Sequence, residues 1–380
     1  MDRRIKLGIP FDYDTKWIAG AYYIVNIIKA LDLLKDDQKP AITIFFKTDN
    51  LLYLIKDIKY PFITFVEQNV NGNKIFLVRI INKLIRFFSN KNIIETRLKE
   101  DQIDYLFPAS NAYFFSLIPE YKRKYWIPDF QEHFLPELFS ESEINARVMQ
   151  QNNLVSINSD IVFSSYDSQS NFYSIYPNAR NKTYVIQFAV FHNDGYKNIL
   201  LSKLHSKYNL PQEYFFCANQ FWSHKNHITI FKALVNLKKR GISKKVVFSG
   251  AQIDNRNVSF FSELMAFVEQ NGIAENVLVL GFIDRDEQLR LMLDSIAIIQ
   301  PSLFEGWSTV VEDAKALNKP IILSDILVHR EQIDQNVVFF EPKNDEQLAD
   351  IINEFNIKVY PLDYNQKKEK FAEDIIKIFK

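Results

Sequence analysis

The chain has 380 residues, 47% of them hydrophobic, which is long enough for two compact domains. Its 46 basic and 46 acidic residues cancel, which excludes the global positive field expected of a nucleic-acid binder. A single cysteine, Cys217, excludes an internal disulfide and a cysteine metal cage; beside Phe215 and Phe216 it reads as a core residue in a reducing compartment.

Residues 1–4 lead directly into a strand rather than a long apolar signal segment, and no apolar run reaches membrane-spanning length, so a cytoplasmic protein is expected. Residues 5–10 predict the first strand. A helix follows, with Tyr23, Ile24, Ile27, Ile28 and Leu31 on its apolar side and Gly20 near its start. Asp12-Tyr13-Asp14 and Asp284-Arg285-Asp286 both spell Asp-x-Asp, a pattern short enough to arise by chance. They read as loop and cap residues, and no required metal is expected.

Residues 41–46 and 61–66 predict further strands. Residues 74–88 combine an apolar face with Lys74, Arg79, Lys83 and Arg86, which fits a helix packed on the N-terminal sheet. The same pattern fits a helix lying on an anionic membrane surface. Residues 105–108 and 124–127 predict short parallel strands, the second running into Pro128-Asp129-Phe130-Gln131-Glu132-His133. Polar residues just past a strand's C-terminal end are where open α/β sheets bind ligands, which makes Asp129 a candidate, with a structural cap as its alternative.

A helix over 144–153, a strand and Ser-capped helix start over 158–165, and a last strand at 184–188 complete the first half. His192-Asn193-Asp194-Gly195 is polar and turn-rich and reads as a hinge. The second half opens with a buried strand at 213–218, then residues 219–227 and a helix through Leu237. Lys225, after a strand and entering a helix, is placed to pair with a departing diphosphate. Segments 246–250 and 277–282 continue the alternation of strand and helix.

The most informative stretch is 300–320. An apolar strand at 295–299 ends at Pro301, a polar loop follows, and Val310, Ala314 and Leu317 recur at helical spacing until Asn318 stops the helix before a strand at 320–323. A helix N-terminus offers unpaired N–H groups and partial positive charge, so the loop of Glu305, Gly306, Trp307 and Ser308 can hold a diphosphate against Thr309 and Val310. Gly306 permits close backbone approach. Carboxylates beside an anion site need hydroxyl donors, and nucleotide-sugars supply both phosphate and hydroxyls. Thr309-Val310-Val311-Glu312 also reads as a capping box, which accounts for Glu312 without a ligand and leaves Asp313 the better ligand candidate.

This stretch resembles the signature of retaining glycosyltransferases of family four, in which two acids stand eight positions apart; here they are Glu305 and Asp313, the second conservatively changed from Glu. The resemblance implies an α/β protein of GT-B fold, with two Rossmann-like domains facing a central cleft. The acceptor-side domain would span 1–195 and the donor domain 196–364, with 365–380 crossing back to the first. It implies transfer of a sugar, with retention, from a nucleotide-diphosphate-sugar to a hydroxyl of a glycan or lipid-linked acceptor. The donor is a co-substrate, and no further cofactor is implied. By resemblance Glu305 meets the donor sugar, Gly306 to Thr309 and Lys225 the diphosphate, Asp313 the ribose, and the backbone at Gly281 and Phe282 the base. Gly20, Asp129 and His133 fall on the acceptor side. Attachment at the inner face of a membrane through 74–88 fits relatives with membrane-held acceptors.

Two departures stand out. Pro128 occupies a position where the family commonly has His, and Gln220 one where it has Arg. His224 offers partial compensation for the second, being at best half protonated near neutrality on its unperturbed pKa. Two other readings stay open: a GT-B-like nucleotide-sugar epimerase, and a non-catalytic nucleotide-sugar or polysaccharide-binding partner in a synthetic complex, the latter gaining weight from these departures.

Overall fold

A computed structural model describes residues 3–13, 18–47, 51–68, 102–109, 115–254 and 256–380; the segment 74–88 and Asp14 lie outside the described residues. Strand pairing among the described residues is parallel throughout. Parallel neighbours need a crossover connection, usually a helix, so the alternation of elements in the sequence fixes the class.

In the first domain β1 (Lys6–Pro10), β2 (Ala41–Phe46), β3 (Ile63–Glu67) and β4 (Tyr105–Leu106) form a sheet in the order β3-β2-β1-β4. The strands β5 (Lys124–Trp126), β6 (Asp160–Phe163) and β7 (Thr183–Val185) form a second, ordered β5-β6-β7, and a parallel bridge from Leu106 to Arg123 joins the two. Gly20 lies inside the helix Ile18–Asp32 and is buried, rather than in a loop at the cleft. The apolar periodicity already begins at Ile18, so the chain turns helical before the glycine.

The second domain is a six-stranded sheet of β8 (Phe215–Ala218), β9 (Val246–Ser249), β10 (Val277–Val279), β11 (Ile298–Gln300), β12 (Ile321–Ser324) and β13 (Val337–Phe340). Its order is β10-β9-β8-β11-β12-β13. The chain winds outward from β8 in one direction and from β11 in the other, so the loops leaving these adjacent strands diverge and open a crevice. Strands β8, β9 and β12 are buried at every residue, which is why they read as unbroken apolar runs. Side chains alternate between two cores: Phe215 and Cys217 pack on one face of β8, Tyr214, Phe216 and Ala218 on the other.

The last helix spans Tyr364–Lys377, beginning before the predicted segment because Asp363 accepts a hydrogen bond from the Asn365 N–H at 3.2 Å and caps it. It packs on Ile18–Asp32, placing Phe371, Ala372, Ile375 and Ile376 in the core of the first domain. Tyr364 pins the crossing: its hydroxyl donates to Glu312 Oε2 at 2.5 Å and accepts from the Val190 N–H at 3.0 Å. A second pin is Glu331, whose two oxygens accept from the N–H groups of Tyr166 and Asp167 at 2.8 and 3.0 Å, at the N-terminus of the helix Tyr166–Ile175. Among the described residues no helix is long and apolar enough to cross a membrane.

Because the Tyr364 hydroxyl satisfies a buried carboxylate and a buried N–H together, Tyr364→Phe is expected to destabilise the folded chain by about 1–3 kcal/mol. Chemical denaturation of the two proteins side by side measures it.

Candidate functional site

The two domains enclose a cleft of about 930 Å³, lined by the loops that follow β8 and β11 on one side and by residues after β1, β4 and β5 on the other. At its centre the ammonium of Lys225 donates to Glu305 Oε1 at 2.6 Å. Lys225 belongs to the loop after β8 and Glu305 to the loop after β11, so the pair spans the point where the sheet order reverses. The Gln300 side chain, at the end of β11, donates to the same Glu305 oxygen at 2.9 Å and is itself held by the Asn219 amide at 2.7 Å. Burial is the largest single influence on Glu305 and opposes its ionisation, but the opposing influences, led by the charge of Lys225 and including its hydrogen bond, together outweigh it and bring the carboxyl down to about 2.

Gly306 is required by a close approach across the cleft. A Cβ there would lie 1.9 Å from the Pro128 carbonyl oxygen and 3.0 Å from the Asp129 Cβ. The glycine therefore lets the loop after β11 touch the loop after β5, and it brings Asp129 beside Glu305. Asp129 accepts from the Gln131 N–H at 3.1 Å and stands 4.0 Å from Arg147. Burial in the cleft raises its carboxyl above the usual range; the Gln131 N–H and Arg147 oppose that shift, and Glu132 and Glu305 add to it.

The helix Thr309–Ala316 starts at Ser308, whose hydroxyl accepts from the Val311 N–H at 3.4 Å. The capping box read from Thr309 and Glu312 does not form, because the cap falls one residue earlier. Glu312 is instead fully buried and accepts from Lys315, Gln332 and Tyr364. The Ser308 N–H is taken by Gln332 Oε1 at 3.1 Å, while the N–H groups of Thr309 and Val310 have no acceptor among the described residues. The Trp307 indole lines the cleft and also donates to the Phe188 carbonyl at 3.1 Å, so it joins the two domains.

Asp313 sits behind this surface, fully buried and away from the cleft lining. Its Oδ1 accepts from Arg285 at 2.5 Å and from His192 Nε2 at 2.8 Å, so the segment read as a hinge reaches the donor domain. Burial is the largest single influence on Asp313 and opposes its charge, but Arg285 and then His192 together outweigh it, leaving the carboxyl below its ordinary value. Asp313 Oδ2 is buried without a hydrogen-bond partner among the described residues.

Gln220 lines the cleft. Gly281 and Phe282 do not; Gly281 has φ of +73°, its carbonyl accepts from the Gly250 N–H at 2.8 Å, and Phe282 is exposed. His133 also stands off the cleft, its ring nitrogen donating to Gln151 Oε1 at 2.9 Å. His224 does not restore the charge missing at Gln220, because burial and then Lys225 hold it well below its ordinary pKa and keep it neutral. Asp284 caps the helix Arg285–Asp294, accepting from the Asp286 N–H at 2.9 Å, while Asp12 pairs with Lys47 at 2.6 Å.

Several residues of the site escape the sequence patterns. Gln300 and Asn219 form the network behind Glu305; both stand at strand C-termini, the one signal that marks them. Trp222 and Arg256 also line the cleft, each in a loop that follows a strand of the second sheet.

Residues 203–373 match the family described as Glycosyl transferases group 1. The O-antigen chain mannosyltransferase RfbU of Salmonella typhimurium is 26% identical over 201 residues, covering 50% of this chain and 53% of RfbU. The O-antigen biosynthesis glycosyltransferase WclY of Escherichia coli is 32% identical over 89 residues, covering 23% of this chain and 25% of WclY. The chain thus spans about half the length of the first of these relatives, or less. Among solved structures, Anabaena Alr3699/HepE in complex with UDP and glucose superposes with a TM-score of 0.64 at 17% identity, covering 99% of this chain and 95% of that one. A glycosyltransferase from Rickettsia africae gives 0.63 at 18% identity, covering 99% and 93%. Residues 203–373 are thus similar to the group 1 glycosyl transferases, and the described residues have the GT-B fold.

Proposed function

We propose that the protein transfers a sugar from a nucleoside-diphosphate-sugar to a hydroxyl of a glycan or lipid-linked acceptor, with retention at the anomeric carbon. The observation that carries this reading is the Lys225–Glu305 pair at the switch point of the six-stranded sheet, beside the N–H groups of Thr309 and Val310, which have no acceptor among the described residues, and facing Asp129. In the reaction the bond between the anomeric carbon and the diphosphate oxygen breaks, and its electron pair stays on that oxygen. A bond forms from the carbon to the acceptor oxygen, whose proton passes to the departing diphosphate. Lys225 and the two N–H groups meet the charge that develops on the leaving group. Glu305, ionised at every working pH, accepts from donor-sugar hydroxyls and positions the ring.

Asp313 Oδ2 is a buried acceptor without a partner among the described residues, but it stands behind the cleft lining, so this reading gives the ribose no contact with it. Asp129 holds the acceptor hydroxyl by a hydrogen bond that its ionised form accepts more strongly than its neutral one. The epimerase and the non-catalytic readings are less favoured, because the named relatives are glycosyltransferases. An acceptor held at the cytoplasmic face of a membrane is compatible with this reading.

Purified protein incubated with UDP-, GDP- and ADP-sugars is expected to release nucleoside diphosphate from one of them only when a hydroxyl acceptor is present. Release without acceptor dependence, or none with any donor, counts against transfer. Glu305→Gln should lower kcat/KM by about 100- to 1,000-fold.

The same variant has a stability signature. The folded-state pKa of Glu305, about 2, lies below its unfolded value of ~4.3. Its stabilisation is therefore present above the unfolded value, worth on the order of 3 kcal/mol at neutral pH, and is lost as pH falls towards 2. The melting temperature of Glu305→Gln is expected to trail the wild type at pH 7 and converge with it in acid.

Asp129 titrates on the other side of the ordinary carboxylate value, so its protonation gives the acid limb of the pH–rate profile. Asp129→Asn should be slower by about 100-fold and should lose that limb. A limb that persists unchanged in the variant assigns it to another group.

A further inference from the structure

A nucleoside diphosphate is a polyanion, and the donor-side wall as built so far offers it little net charge. Lys225 is paired with Glu305 at 2.6 Å, Gln220 is uncharged, and buried His224 is neutral. On the opposite wall Arg147 is engaged by Glu132 at 3.2 Å and Asp129 at 4.0 Å. Among the described residues one other cation lines the cleft, Arg256, in the loop that follows β9. Strand β9 is the neighbour of β8, so this loop runs beside the one that carries Lys225.

The placement of Arg256 is built rather than incidental. Asp254 Oδ1 accepts from the Arg256 N–H at 3.0 Å and from its Nε at 3.3 Å, while Asp254 Oδ2 accepts from the Ser223 N–H at 3.4 Å. One buried carboxylate therefore ties the Arg256 loop to the Lys225 loop. The guanidinium lies 5.4 Å from the Trp222 ring centre and 4.8 Å from that of Phe139. Two aromatic faces fix its plane while leaving its edge free.

A guanidinium has five donors, and Asp254 engages only the Nε edge. Nη1 donates to Gln131 Oε1 at 3.3 Å, a long and weak hydrogen bond, and Nη2 has no partner among the described residues. The side chain is 17% exposed and lines the cleft, so the fork is largely desolvated and reachable from the cleft. A desolvated, oriented fork with unused donors is suited to phosphate oxygens, which accept in parallel.

We infer that Arg256 is the second cation for the donor diphosphate, binding phosphate oxygens through its terminal nitrogens while Nε stays on Asp254. This inference rests on the nucleoside-diphosphate-sugar reading of the cleft. It assigns to the loop after β9 a task that the loop after β8, with Gln220, does not perform.

The test compares affinities of wild type, Arg256→Gln and Arg256→Lys for UDP, GDP and ADP and for the matching nucleosides, by titration calorimetry. Circular dichroism checks that each variant is folded. Wild type should bind one diphosphate far more tightly than its nucleoside. Arg256→Gln should weaken that diphosphate by about 10- to 100-fold and leave the nucleoside unchanged, because a charge-assisted hydrogen bond to phosphate is lost. Arg256→Lys, which keeps the charge and loses the fork, should fall between. Equal loss for diphosphate and nucleoside would mean that Arg256 only supports the loop, and unchanged affinity for both would mean that it does not reach the ligand; either result overturns the inference while the donor reading stands. A wild type that prefers no diphosphate over its nucleoside overturns the donor reading itself, and the inference with it.

Discussion

An ammonium and a carboxylate that meet across the reversal point of a parallel sheet organise this protein. Lys225 and Glu305 lie in loops separated by 80 positions, brought together because β8 and β11 are neighbours whose chains then wind in opposite directions. Each would be costly to bury alone. Paired, and with Gln300 on the same carboxylate oxygen, they remain charged at the floor of a cleft, where charge is most effective because water is scarce. The polar network of Asn219 and Gln300 fixes the carboxylate without adding charge.

A second constraint is the closeness of the two domains. Gly306 meets the Pro128 carbonyl, Trp307 donates to Phe188, Glu331 caps a helix of the other domain, and Tyr364 links Glu312 to Val190. These contacts involve the signature stretch or the segments just after it. The residues that hold the domains in register are thus interleaved with those that face the cleft. Trp307 and Glu312 belong to the signature loop and helix yet spend their polar atoms on the domain interface.

Asp313 illustrates how tertiary contacts modify a role read from spacing. Its distance from Glu305 along the chain marks it as the second acid, but its side chain points behind the cleft lining, where Arg285 and His192 hold one oxygen and the other is left without a donor. Three chain segments converge there: the helix Thr309–Ala316, the start of the helix Arg285–Asp294, and the segment at His192 between the domains. A helical wheel distinguishes Asp313 from Glu312 only by face; both are in fact fully buried, and what separates them is the identity of their partners.

The amino-acid sequence by itself determined the alternation of apolar runs and helical periods, hence a parallel α/β protein, and it marked Glu305, Gly306, Lys225 and Asp129 by their position just past strand ends. Such features are local: a strand's end, a helix start and a glycine are written within a few neighbouring residues. Only the tertiary structure decided that Gly306 is needed for contact with Pro128, that His224 is buried and neutral, that Ser308 rather than Thr309 caps the helix, and that Arg256 reaches the cleft. Burial, desolvation and pairing depend on residues far away in the chain, and no spacing rule records them. Arg256 lies in a loop without periodicity or motif, and its meaning appears only when β9 takes its place beside β8.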